Sequence, residues 1–206
     1  MQLEGATPLY QRMKLVLERK GYVFFDVGTY NLNLIGIRGR SREPRSFDDA
    51  FVIAYRDTSG APVAKAFPIT TDPGLTSLTG ARHSQGTAIL LPGQYRGLYE
   101  IGIHGRSKPG GGHRALEQRV PARYARDNNG DGVLDIGGPV FEGNIKTNVH
   151  HQGSGASDDW VGSASAGCQV FRHKRDFDEL MRLADLQVMA GRGKRFTYTL
   201  IEESDL

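Results

Sequence analysis

Cys168, the chain's single cysteine, stands in Ser165-Ala166-Gly167-Cys168-Gln169-Val170-Phe171. A thiol packed as a small hydrophobe does no chemistry. Here, however, small residues precede it, letting a substrate carbonyl approach the backbone. They also leave the Gly167 and Cys168 amides to receive an oxyanion. The apolar run behind the cysteine predicts a buried strand that anchors it. A thiol needs a base to be a strong nucleophile at neutral pH. His150 and His151 lie eighteen and seventeen residues upstream, after a strand-like segment at 144–149. In extended chain, neighbouring side chains point to opposite faces, so only one of the two imidazoles can face the thiol. The chemistry this pattern predicts is acyl transfer through a thiolate, with the thiol ionising below its ordinary ~8.5.

Val149-His150, a spacer, then Ser165-x-Gly167-Cys168 resembles the active-site signature of the YkuD-type L,D-transpeptidases. Thr70-Thr71-Asp72-Pro73-Gly74 and the run from Gly86 to Tyr95 resemble the stretches that precede that signature, so the likeness covers residues 60–172. The form SAGCQVF followed by an acidic helix resembles a divergent branch of phage-borne and secreted cell-wall enzymes. The resemblance implies a YkuD-like, β-rich fold and a cysteine enzyme of peptidoglycan stem peptides, commonly diaminopimelate-containing. The thiolate attacks a stem carbonyl, and the acyl group passes to an amine or to water. Cys168 is then the nucleophile, His150 the base and His151 its orienting neighbour, with Ser165 and Gly167 completing the motif. Ala166 stands where the family has histidine, and Val170 where it has a carboxylate-holding arginine. Gln169 and Arg172 are the nearby candidates for that substrate-binding role. Two rival readings follow: a non-catalytic cell-wall-binding module of the same fold, and a zinc-dependent peptidoglycan hydrolase.

The zinc reading draws on His104, His113, His150 and His151, but no H-x-x-x-H or comparable spacing supports it. Trp160, between the histidines and Cys168, either lines the substrate cleft or packs beneath the loop. A second constellation runs from Asp127 to Asp135 and matches D-x-[DN]-x-[DN]-G. It offers Asp127, Asn129, Asp131, the Val133 carbonyl and Asp135 to a structural calcium ion, although position 12 is Gly138 where a bidentate Glu belongs. An Asn/Asp/Gly turn also forms without metal. The chemistry itself calls for no cofactor.

The elements that position these residues are short. Apolar residues at helical spacing over 7–20, with Pro8 in the first turn and Gly21 after it, predict a helix. Strand-like runs at 22–27, 31–37, 50–55, 63–68, 87–91, 95–103 and 120–125 follow, bounded by Gly, Pro, Asn or Asp. Their ten-residue spacing predicts a mainly β (α+β) antiparallel sandwich or barrel. Residues 38–49 and 106–113 read as loops. Residues 174–190 read as an amphipathic helix with acids in its first turn, and 195–201 as a last strand. Nothing divides the 206 residues, so one domain is expected, with an N-terminal helical segment at 7–20 and a catalytic core at 22–202.

Composition narrows the partners. Twenty-seven glycines and 38% apolar residues favour turns and strands over long helices. The net charge of +3 comes from arginines interleaved with acids, not from a clustered arm that would grip nucleic acid. The most apolar run, residues 88–91, stops at Pro92, far short of the ~20 residues of a membrane span. Glu4 and Pro8 occupy the place of a leader's apolar run. The resemblance sets the expected place of action, the cell wall or periplasm, reached as a mature form or by a phage-like or other route.

Overall fold

The computed structural model describes residues 6–80, 83–107, 110–153 and 160–206. Residues 1–5, and 108 and 109 within the expected 106–113 loop, lie outside the described residues. The chain runs α1 (Ala6–Arg19), β1 (Asn33–Arg38), β2 (Asp49–Arg56), β3 (Pro62–Thr70), α2 (Leu75–Thr79), β4 (Thr87–Leu90) and β5 (Gly93–His104). It continues with β6 (His113–Gln118), β7 (Ala122–Asp127), β8 (Phe141–Gly143), β9 (Val149–His151), β10 (Gln169–Phe171), α3 (Lys174–Met189) and β11 (Arg195–Glu202). Eight strands close a barrel in the order β1-β11-β5-β6-β9-β10-β3-β2, beside a small sheet β4-β7-β8. The fold is mainly β with three α-helices. No helix among the described residues is long and apolar enough to cross a membrane.

Two pairings depart from the antiparallel expectation: β1 runs parallel to β11, and β9 parallel to β10. The second pair matters for the site, because it starts the His150 strand and the strand after Cys168 from the same end.

The barrel is packed on both sides. Inside, Leu34, Phe51, Leu98, Phe171 and Tyr198 form one cluster with Phe177, Leu180 and Leu183 of α3. Outside, α1 lays Leu9, Tyr10, Met13 and Leu17 over Ile35, Ile37, Val52 and Ile201. This double cover explains why every residue of β1 is buried, where a strand exposed on one face would alternate.

Two of the expected strands differ. Residues 22–27 are extended but pair with no strand. Their main chain is held by side-chain amides instead: Gln94 brackets Val23, accepting at 3.0 Å and donating at 2.8 Å, and Asn33 brackets Phe25 at 2.7 and 3.0 Å. The segment at 144–149 enters the barrel only at Val149. Before it, Lys146 turns at φ 57° and Asn148 N–H bonds back to its carbonyl at 2.8 Å. β6 and β8 were not read from the sequence: β6 is charged outward, and β8 has three residues.

Candidate functional site

Cys168 sits one residue before β10, and the ladder pairs Gln169 with Val149 and Val170 with His150. This register brings His150 beside the cysteine. A ring nitrogen of His150, a ring nitrogen of His104 and Cys168 Sγ all lie within 4.8 Å of one another. His104 arrives from the end of β5, its ring stacked on His150 at 4.0 Å and 16°. His151 turns to the other face, as alternation requires, and packs against His113 and Phe177 at 4.7 and 5.4 Å.

The His151 carbonyl accepts a hydrogen bond from His150 Nδ1 at 2.8 Å. A carbonyl only accepts, so the proton sits on Nδ1 and Nε2 keeps its lone pair. That Nε2 is buried without a hydrogen-bond partner among the described residues. Burial, reinforced by His104, pushes the His150 pKa down from 6.5 to about 3. The ring is a neutral acceptor at physiological pH.

The turn before the cysteine is stapled from several directions. Ser165 is fully buried. Its hydroxyl donates to the Cys168 carbonyl at 2.9 Å and accepts the Gly167 N–H at 3.2 Å. The Gly167 amide is therefore occupied by Ser165, not presented to an oxyanion as the sequence suggested. The Ser165 carbonyl takes Gly74 N–H at 3.0 Å and the Ser77 hydroxyl at 2.9 Å, while Thr147 donates to the Gly167 carbonyl at 2.7 Å. Arg38, fully buried, ties the neighbouring turn together through an ion pair to Asp72 at 2.8 Å and a bond to Thr71 at 3.0 Å. Both upstream stretches of the motif thus pack against the turn.

Gly167 has φ 110°, and a Cβ there would press into the Ala88 carbonyl oxygen. Gly167→Ala is expected to lose about 2–5 kcal/mol from strain and overpacking together. Urea unfolding checks this, and a loss under 1 kcal/mol would show that the turn is free to relax.

Other expected site residues lie elsewhere. Gln169 is fully buried, accepting from Tyr198 OH at 2.6 Å and donating to Thr147 at 3.4 Å, because alternation turns it into the closed barrel. It cannot touch substrate. Arg172 stands past the far end of β10, its N–H on the Pro68 carbonyl at 3.1 Å, roughly 13 Å along the strand from Cys168. Trp160 is exposed under the Arg45 guanidinium and lines a separate cavity of about 730 Å³ with Arg42, Leu75 and Asp131.

Two other clefts lie near the cysteine without being lined by it. One, about 740 Å³, is lined by His104, Arg106, Arg119, Asn144 and Lys146. The other, about 290 Å³, is lined by His83, Tyr124, Arg126, Lys146 and Ala166. Lys146 belongs to both, and its carbonyl accepts from the Cys168 thiol at 3.4 Å. No family model, curated protein or solved structure matches this chain.

The Asp127–Asp135 loop closes on itself. Asn129 accepts from Asp131 N–H at 3.1 Å, Asp131 from Val133 at 2.8 Å, Asp135 from Gly137 at 2.8 Å, and Asp127 Oδ2 from Asp135 at 2.9 Å. Among the described residues, His104, His150 and Cys168 are the one set of three His, Cys, Asp or Glu side chains whose ligand atoms converge, so Asp127, Asp131 and Asp135 do not make another. Ca²⁺ takes six to eight oxygens. The expected result is an unchanged melting temperature between chelator and millimolar calcium, and a rise of several degrees with calcium would assign the loop to the ion.

Proposed function

We propose that this chain is a cysteine enzyme of peptidoglycan stem peptides, an L,D-transpeptidase-like acyl transferase working in the cell wall or periplasm. The observation that carries the reading is the line from Cys168 to His150 to the His151 carbonyl. The carbonyl fixes the proton of His150 on Nδ1, so the buried, unpartnered Nε2 is a lone pair beside the thiol. The peptide substrate class comes from the Val149-His150 and Ser165-x-Gly167-Cys168 motif, and diaminopimelate-containing stems are the first choice.

In this reading His150 Nε2 takes the thiol proton and Cys168 Sγ attacks the carbonyl carbon of the stem peptide. The C–N bond breaks, His150 returns the proton to the leaving amine, and a thioester remains. An incoming amine or water then reverses the steps. The residues supply nucleophile, base and orientation, so the chemistry draws on no cofactor. The two clefts that share Lys146 suit a donor peptide and an acceptor peptide. Arg106, Lys146 and Arg126 suit the carboxylates such stems carry.

Mass analysis of purified muropeptides incubated with the protein tests this. Cross-linked products mark transfer, and loss of a terminal residue marks hydrolysis. Unchanged muropeptides of every stem composition, diaminopimelate or lysine, would overturn the reading.

A further inference from the structure

Asn148 decides which nitrogen of His104 carries a proton. The Gln118 backbone N–H, which can only donate, gives its hydrogen bond to Asn148 Oδ1 at 3.0 Å. That contact fixes the amide, so Nδ2 is the Asn148 atom that faces His104 Nδ1, at 3.2 Å. An amide nitrogen only donates. His104 Nδ1 is therefore the acceptor, and the proton of the neutral ring is on Nε2. An Nδ1–H would point at another donor.

His150 is the reverse, with its proton on Nδ1 and its lone pair on Nε2. The two stacked imidazoles thus hold opposite tautomers, each set by backbone groups that cannot exchange roles. One offers a lone pair and the other an N–H.

This asymmetry answers a need of the thiol. Among its contacts the Cys168 thiol donates to the Lys146 carbonyl, an acceptor that gives no hydrogen bond to a sulfur anion. A buried anion needs donors. We propose that His104 is a further catalytic residue whose Nε2–H donates to the Cys168 sulfur as the thiol proton leaves, with Asn148 as the positioning residue that keeps that hydrogen in place. The S–H bond breaks, the proton forms a bond to His150 Nε2, and sulfur keeps the electron pair. His104 gives up no proton in the step. The proposal rests on the thiol reading of the site, but not on the identity of its substrate.

The same three ligand atoms could be taken for a metal cradle, yet a zinc ion needs a lone pair from each imidazole. Asn148 withholds the one on His104 Nε2.

The deciding variant is Asn148→Asp. A carboxylate of the same shape accepts from both Gln118 N–H and a His104 Nδ1–H, so it reverses the tautomer and turns the Nε2 lone pair outward. In wild-type protein labelled with ¹⁵N-histidine, NMR is expected to show an Nε2–H tautomer for His104 and an Nδ1–H tautomer for His150. In Asn148→Asp, His104 is expected to switch, and alkylation of Cys168 by iodoacetamide to slow tenfold or more. That variant is also expected to gain Co²⁺ binding with a thiolate-to-cobalt absorption band, which Cys168→Ser removes. Should Asn148→Asp fail to fold, His104→Gln, whose amide donates, is expected to keep more of the alkylation rate than His104→Ala.

Matching tautomers in the wild type would overturn the proposal, as would an alkylation rate indifferent to all three variants. A cobalt–thiolate band in the wild type as strong as in Asn148→Asp would make the cluster a metal site instead. None of these measurements uses muropeptides, so they stand or fall apart from the substrate assignment.

Discussion

Cys168→Ala is expected to bring muropeptide conversion to background, a loss of at least about 10³-fold, while the fold survives. Without sulfur no thioester forms, and no other side chain among the described residues stands where Sγ does to take over the attack. The change removes one atom from a turn held by Ser165, Thr147 and Gly74 through groups that the substitution leaves intact. Stability should fall by only about 1 kcal/mol, which is 2–4 °C in melting temperature for a chain of this size. Mass analysis of muropeptides alongside a thermal melt checks both halves. Conversion that persists in the variant would remove the cysteine from the mechanism altogether.

His150→Ala and His151→Ala should part company sharply. Losing the lone pair at His150 should slow turnover by ~10²–10⁴. His151→Ala keeps the carbonyl that orients His150 and loses packing against His113 and Phe177 and a ring hydrogen bond to the Gln152 carbonyl, so its rate should fall less than tenfold. A larger effect at His151 would mean that the face assignment is wrong by one residue.

The same histidine shapes acid stability. Its folded pKa, about 3, lies below the unfolded value of 6.5. As pH falls below 6.5 the unfolded chain binds a proton that the folded chain refuses. Stability then drops by about 1.4 kcal/mol per pH unit until pH approaches 3. The neighbouring His104, His113 and His151 add to the resistance through their charges. Asp49, pushed up to about 7 by burial and Asp72, works in the opposite direction. The informative quantity is therefore the difference between wild type and His150→Ala, which should shrink as pH falls from 7 to 4. A constant difference would mean that His150 takes up its proton in the folded state.

The β-rich class, both long helices and the last strand were legible because each rests on a local period: 3.6 for residues 174–190, two for 195–201. The closeness of His150 to Cys168 was legible from the motif, whereas the parallel ladder that produces it was not. His104 was named only for the zinc reading and not beside the thiol, since it reaches the site through the β5–β6–β9 closure of the barrel. Gln169 and Arg172 were misplaced for a related reason. Closeness in sequence says nothing of which side of a closed wall a side chain faces. Trp160 went astray because the loop that carries it docks on residues 44–46 and 74, away from the thiol. Residues 22–27 carry a strand's composition, but their hydrogen bonds go to side-chain amides, which no periodicity reveals.

The parallel seam between β1 and β11 has a kinetic meaning. It joins Leu34 to Tyr198, nearly the whole chain apart, so the ring closes only after almost everything else has been made. Pairings of such long sequence separation fold slowly, in milliseconds to seconds. Helix α1 packs chiefly on β3 and β2, and its apolar cluster reaches Ile35 and Ile37 of β1 and Ile201 of β11. Its docking therefore braces the strands beside the seam rather than the seam itself. His104, His150 and Cys168 arrive on the β5-β6-β9-β10 arc, so the thiol meets its histidines through pairings that do not wait for that seam to close.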